Sequence, residues 1–199
     1  MTHLSQALRL GLVHFVLAMS FGCSLFDTNQ PPFESIQLME KPRLVAASGL
    51  RTTKGAPLQH ALQSSWSIMT FGFTKCPDIC PANMATLKLL KKDLGERFQY
   101  ILITVDPKTD QLRQLENYCE FYDPKFIGAR GSRENTLALA GTLATTFGTN
   151  PKTKKTYHSS KFFIIDNEGR WVGYLSQDMD LPQAAKELMR MQSKEARLW

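Results

Sequence analysis

The chain has 199 residues, 43% of them hydrophobic and 21% charged, with a formal net charge of +6. That is apolar material enough for one domain with its own core and short extras, without staples. The positive charge is mild and scattered, and the absence of zinc-finger spacing, an RNP-like aromatic motif or a basic helix argues against nucleic-acid binding.

At the N-terminus Arg9 precedes the apolar run Leu10 to Phe21, which is too short to span a bilayer comfortably and reads as a secretory signal. Ser20-Phe21-Gly22-Cys23 resembles the cleavage box of bacterial lipoproteins, in which Cys23 becomes the lipidated N-terminus; an uncleaved anchor is the alternative. Residues 1–22 are therefore expected to be a signal or anchor and 23–40, with Pro31-Pro32, a tether. Residues 41–199 form the folded domain, held on the extracytoplasmic face of a bacterial membrane.

Within the domain, Arg43 to Gln63 is broken up by Gly49, Gly55 and Pro57 and suggests a β-hairpin ahead of the main sheet. Ile68 to Phe73 then reads as a buried strand. A helix follows from about Pro81, with Met84, Leu87, Leu90 and Leu94 on one face, Lys88, Lys91 and Lys92 in its later turns, and Gly95 as its stop. Phe98 to Val105 is a continuous apolar run, as in a strand buried on both faces. Asp106-Pro107 ends it, and a helix is expected from Thr109 to Tyr122. Leu112, Leu115, Cys119 and Tyr122 share one face of that helix, which makes Cys119 a core thiol. Phe126-Ile127-Gly128 suggests a short strand. Ser132 is placed to cap a helix with Leu137, Ala140, Leu143, Ala144 and Phe147 on one face and Gly148 closing it. A polar loop runs from Thr149 to Ser160. Lys161 to Ile165 and Arg170 to Leu175 form a hairpin about Asp166-Asn167-Glu168-Gly169, and a last helix begins near Leu181. The alternation predicts an α/β, thioredoxin-like fold: a central mixed β-sheet flanked by helices, with an N-terminal β-hairpin extension.

The chemistry concentrates between the first central strand and its helix, in Phe71-Gly-Phe-Thr-Lys-Cys-Pro-Asp-Ile-Cys-Pro81. Cys76 and Cys80 stand four positions apart at a helix N-terminus, where the amides and dipole favour negative charge. Copper(I) is soft and prefers thiolate sulfur, with imidazole a suitable further donor. His3 and His14 lie in the leader and His60 in the N-terminal segment, so His158, just ahead of a central strand, is the expected third ligand. Where dithiol oxidoreductases of this fold usually carry a cis-proline, the chain reads Thr156-Tyr-His-Ser-Ser160. Met84 is read as core. Asp78 and Asp106 are candidates to orient a ligand or contact a partner, against simple solvation or helix capping. Lys152, Lys154 and Lys155 could meet an acidic partner, although a solvated loop is their ordinary role.

These residues bring the chain close to a known family. Phe73-Thr-Lys-Cys-Pro-Asp-Ile-Cys-Pro81, Ile103-Thr-Val-Asp-Pro107, the histidine ahead of the hairpin, Asp166-x-Glu-Gly-Arg170 and Val172-Gly-Tyr174 resemble the Sco/SenC family of membrane-tethered copper-binding proteins. The resemblance implies a thioredoxin fold and Cu(I) or Cu(II) bound by Cys76, Cys80 and His158. It also implies a part in assembling the copper A centre of cytochrome c oxidase, whose copper-bearing subunit is the expected partner. Family members often carry Asp immediately before the histidine, where this chain has Tyr157, so a carboxylate that would orient the ligand there is lost. A non-catalytic copper chaperone is the leading expectation. The alternative is a thiol–disulfide reductase in which Cys76 attacks and Cys80 resolves; a one-cysteine peroxidase comes last.

Overall fold

The computed structural model describes residues 32–153 and 155–193. The leader, the Cys23 lipidation site, the first part of the tether and Lys154 lie outside the described residues. At the centre of the domain are β3 (Ser67–Gly72) and β4 (Gln99–Thr104), parallel and in register from Ser67 opposite Gln99 to Gly72 opposite Thr104. Beyond β4 lies β5 (Ile127–Arg130), also parallel. On the other side β8 (Phe162–Ile165) and β9 (Arg170–Leu175) add the expected antiparallel hairpin.

Successive residues on these strands point to opposite faces, and both faces are buried, which is why the sequence reads as apolar runs rather than alternation. Ile68, Leu102 and Ile164 enter one core with α2 (Ile79–Leu94), α3 (Leu112–Tyr122) and α5 (Leu181–Ser193). Met69, Ile103 and Phe163 enter the other with α1 (Leu58–Leu62) and α4 (Arg133–Thr142). Gly95 ends α2 with a φ of 62°, a left-handed backbone that glycine adopts without strain. Among the described residues no helix is long and apolar enough to cross a membrane.

Three expectations are corrected. The N-terminal strands form no hairpin: β1 (Ile36–Leu44) pairs with β9 and β2 (Arg51–Thr52) with β5, at opposite edges of a sheet ordered β1-β9-β8-β3-β4-β5-β2. β1 also begins inside the stretch read as tether. Most of its residues are exposed or half-exposed, so an edge strand here carries no apolar signature. Second, α4 starts as expected, with Ser132 Oγ accepting from the Asn135 amide at 3.2 Å, but ends at Thr142 rather than near Gly148. Ala144 turns the chain at φ 47°, and Leu143 and Phe147 reach the core without a helix while Leu137 is left partly exposed. Third, the polar loop contains a small ribbon, β6 (Gly148–Thr149) against β7 (Thr156–Tyr157), which brings the chain back to the sheet directly ahead of His158.

Candidate metal centre

The three expected ligands converge. The sulfurs of Cys76 and Cys80 and a ring nitrogen of His158 lie within 4.8 Å of one another, the one such group of potential metal donors among the described residues. An ion held trigonally with bonds of about 2.0–2.3 Å spaces its donors roughly 3.5–4 Å apart, so the group is already near the size a three-coordinate ion needs. Two sulfurs and one imidazole suit a soft ion such as copper(I) and do not suit calcium or magnesium, which take oxygen.

Each donor is placed by a different element. Cys80 sits in the first turn of α2 and is buried, 1% exposed. Its close approach to the sheet depends on Gly72 at the end of β3, where a Cβ would stand 3.1 Å from Cys80 Sγ and 2.9 Å from Leu102 Cδ1. Burial, then the neighbouring Cys76 thiol and the charge of Asp110, hold the Cys80 thiol well above the ordinary thiol range. Cys76 is half-buried on the loop, its amide donating to Phe73 O at 3.2 Å. One sulfur is therefore enclosed and the other accessible.

His158 Nε2 lies 3.1 Å from Cys80 Sγ. Its Nδ1 is 2.9 Å from Ser159 O, and since a carbonyl only accepts, Nδ1 carries the proton and Nε2 keeps its lone pair for the sulfur site. Burial lowers the pKa of the ring, against a smaller opposing effect of the Ser159 bond, and so favours the neutral form that binds metal. Phe73 meets the ring edge-to-face, centroids 6.0 Å apart. Downstream the loop is pinned where Thr70 Oγ1 donates to Lys161 O at 3.1 Å. Thr145, Thr146 and exposed Tyr157 line an open cleft at the side of His158.

The remaining candidates separate. Met84 and Cys119 are buried in the helical core, and burial pushes the Cys119 thiol up to about 12. Asp78 is exposed at the N-cap of α2 with no side-chain cap bond. Asp106 Oδ1 accepts from the Thr109 amide at 3.4 Å within the turn ahead of α3. Lys152 and Lys155 are exposed.

One residue was not singled out in the sequence. Asp110 is fully buried beneath the loop, accepting from the Thr74 amide at 3.1 Å, from the Thr74 hydroxyl, and from the Thr104 hydroxyl at 2.6 Å. Its sequence signal is faint: a carboxylate just past the strand-ending Asp106-Pro107, with threonines at the carboxyl ends of both central strands.

Comparison with known proteins agrees with this geometry. The family model described as SCO1/SenC matches residues 39–193. A Stutzerimonas stutzeri protein named for copper binding is 29% identical over 185 residues, 88% of this chain and 91% of that protein. Protein sco1 of Schizosaccharomyces pombe is 32% identical over 136 residues, 61% of this chain and 51% of that protein; the chain thus spans about half the length of this relative. The crystal structure of yeast Sco1 with copper bound superposes with a TM-score of 0.68 at 26% identity, over 79% of this chain and 96% of that one.

Proposed function

The chain belongs to the SCO1/SenC family, and from that premise we propose that it is a copper carrier that holds one ion through Cys76, Cys80 and His158 and passes it to an acceptor. The observation that carries this is the convergence of two sulfurs and an oriented imidazole on one point. Two thiolates on Cu⁺ leave a net single negative charge, which the N-terminal end of α2 stabilises. Cys80 and His158 are the anchored donors and Cys76 the accessible one, so transfer proceeds by exchange: an incoming sulfur or imidazole binds as Cys76 leaves. No small molecule is turned over.

The acceptor we assign is the copper A centre of cytochrome c oxidase, as the family resemblance suggests. The domain works tethered to the extracytoplasmic face of a bacterial membrane, through lipidated Cys23 or an uncleaved anchor. The contrast of one accessible and one enclosed sulfur also favours a second role as a thiol–disulfide reductase of the acceptor's cysteines, with Cys76 attacking. In that role the pair passes two electrons and two protons to a disulfide of the acceptor, which becomes two thiols, while Cys76 and Cys80 close into a disulfide and release any ion they held.

Anaerobic Cu(I) titration of the reduced protein against His158→Ala tests the carrier reading. The native chain takes up about one equivalent, and the variant binds more than about 100-fold more weakly, beyond the 10–100-fold typical of groups that only support a ligand. Unchanged affinity in the variant, with dithiol reductase activity intact, overturns the carrier in favour of the reductase.

A further inference from the structure

We propose that Asp110 is the positioning residue of the sulfur loop: by fixing Thr74 it sets the distance of the Cys76 sulfur from Cys80 and His158. The assignment deepens the copper reading and rests on it in one of its two tests. Asp110 stands one residue ahead of the N-cap of α3, near enough to the helix start for a carboxylate to cap it. It does not do so here. Gln111 is the N-cap, and its side chain and that of Gln114 make the reciprocal capping box, the Gln111 amide donating to Gln114 Oε1 at 3.0 Å.

Relieved of that task, Asp110 turns under the sheet edge and joins two strand ends, Thr104 at the end of β4 and Thr74 just past β3. Thr104 Oγ1 accepts the Asp106 amide at 3.1 Å, which leaves its hydroxyl proton for Asp110. The Thr74 amide can only donate. The two donors whose direction is fixed, the Thr74 amide and the Thr104 hydroxyl, both meet Asp110 Oδ2, and the Thr74 hydroxyl meets Oδ1. Thr74 lies two residues before Cys76 and has both its backbone amide and its hydroxyl committed to this one group. Cys80 and His158 have their own supports in α2, Gly72 and Ser159. On the Cys76 side the Asp110–Thr74 contact joins the bond from the Cys76 amide to Phe73 O.

The test compares Asp110→Ala, which removes every bond to Thr74 and Thr104, with the native chain by two readouts. The first is Cu(I) affinity, expected to fall about 10–100-fold, as for a partner that orients a ligand. The second needs no copper. In equilibrium with glutathione and its disulfide, the Cys76 and Cys80 thiols give up two electrons and two protons to one glutathione disulfide, yielding the protein disulfide and two glutathiones. A loosened loop lowers the effective concentration of one sulfur at the other, so the oxidised fraction at a fixed glutathione ratio drops severalfold. Thr74→Val keeps Asp110 and the amide bond and removes the hydroxyl bond; it is expected to shift both readouts in the same sense by less, and it decides the matter if Asp110→Ala does not fold. Both readouts within about twofold of native in a folded variant overturn the assignment. Should the native chain bind no copper, the carrier reading fails alone, because the glutathione equilibrium still reports on Asp110.

Discussion

Two buried carboxylates in this domain do similar work for different ends. Asp110 takes the Thr74 amide and two hydroxyls and holds the loop that carries Cys76. Glu187, 2% exposed on α5, accepts the amides of Glu34 at 2.8 Å, Ser35 at 3.0 Å and Ile36 at 3.0 Å, with the Gln183 side chain at 2.9 Å, and so fixes the entry to β1 more than 150 residues away in the chain. Each satisfies backbone donors that burial would otherwise strand. What differs is the segment tied down. One knot orders a functional loop between two strands that are already paired. The other fastens an edge strand whose own residues bury little. The same device therefore serves the proposed copper site in one place and fold stability in the other.

Glu187→Ala cuts the second knot and carries the largest stability change expected outside the site. It leaves three amides without their acceptor, one of them at buried Ile36, and should cost about 3 kcal/mol in urea unfolding, with Cu(I) affinity within twofold of native. A large loss of affinity would show that the two regions are not separable. Acid sharpens the same point. Burial alone would raise the Glu187 pKa, but the bonds from Glu34, Gln183, Ile36 and Ser35 outweigh it and hold the folded value below the usual carboxylate range. Its contribution is then complete above the unfolded value of about 4.3 and is lost as pH falls through the lower folded value. Glu187→Gln, having no such titration, should show a shallower fall in stability below about pH 4 than the native chain.

The contrast also explains what could be read in advance. The strand at Ile68, the helix after Cys80, its stop at Gly95, the cap at Ser132 and the hairpin about Gly169 are all written in local periodicity and turn chemistry, and each is found. Cys76, Cys80 and His158 could be brought together because topology fixes where a loop-helix junction and the entry to β8 must meet. Asp110 and Glu187 were illegible for the opposite reason. A carboxylate's partners are unspecified by its neighbours, and Glu187 sits on a helix where an exposed glutamate would be unremarkable. β1 failed similarly: an edge strand pairs through its backbone, and Gln37, Glu40 and Lys41 announce nothing apolar.

Gly72 belongs to both regions at once, since it closes β3 and makes room for Cys80. In Gly72→Ala the new Cβ meets Leu102 Cδ1 at 2.9 Å and Cys80 Sγ at 3.1 Å, both inside ordinary contact. Neighbours must shift, costing about 1–2 kcal/mol, within the range of overpacked cores. Because one of those neighbours is a proposed copper ligand, Cu(I) affinity should fall with stability. Urea unfolding and copper competition on the same sample check this, and a change in stability alone would mean that the sulfur relaxes without leaving its place.

Phe121 belongs to neither region and provides the smallest effect. Its ring is 80% exposed at the end of α3 and touches Tyr122 edge-to-face, centroids 5.2 Å apart. An exposed ring has little transfer free energy left to lose, so Phe121→Ser should change unfolding stability by no more than about 0.5 kcal/mol. Copper affinity should be unmoved, because Asp110, at the other end of α3, is held by the strand ends and not through Phe121. Titration and urea unfolding of this variant thus calibrate the others. If affinity fell here too, α3 would be transmitting changes along its length to the sulfur loop, and the losses expected for Asp110 variants could no longer be assigned to the contact with Thr74.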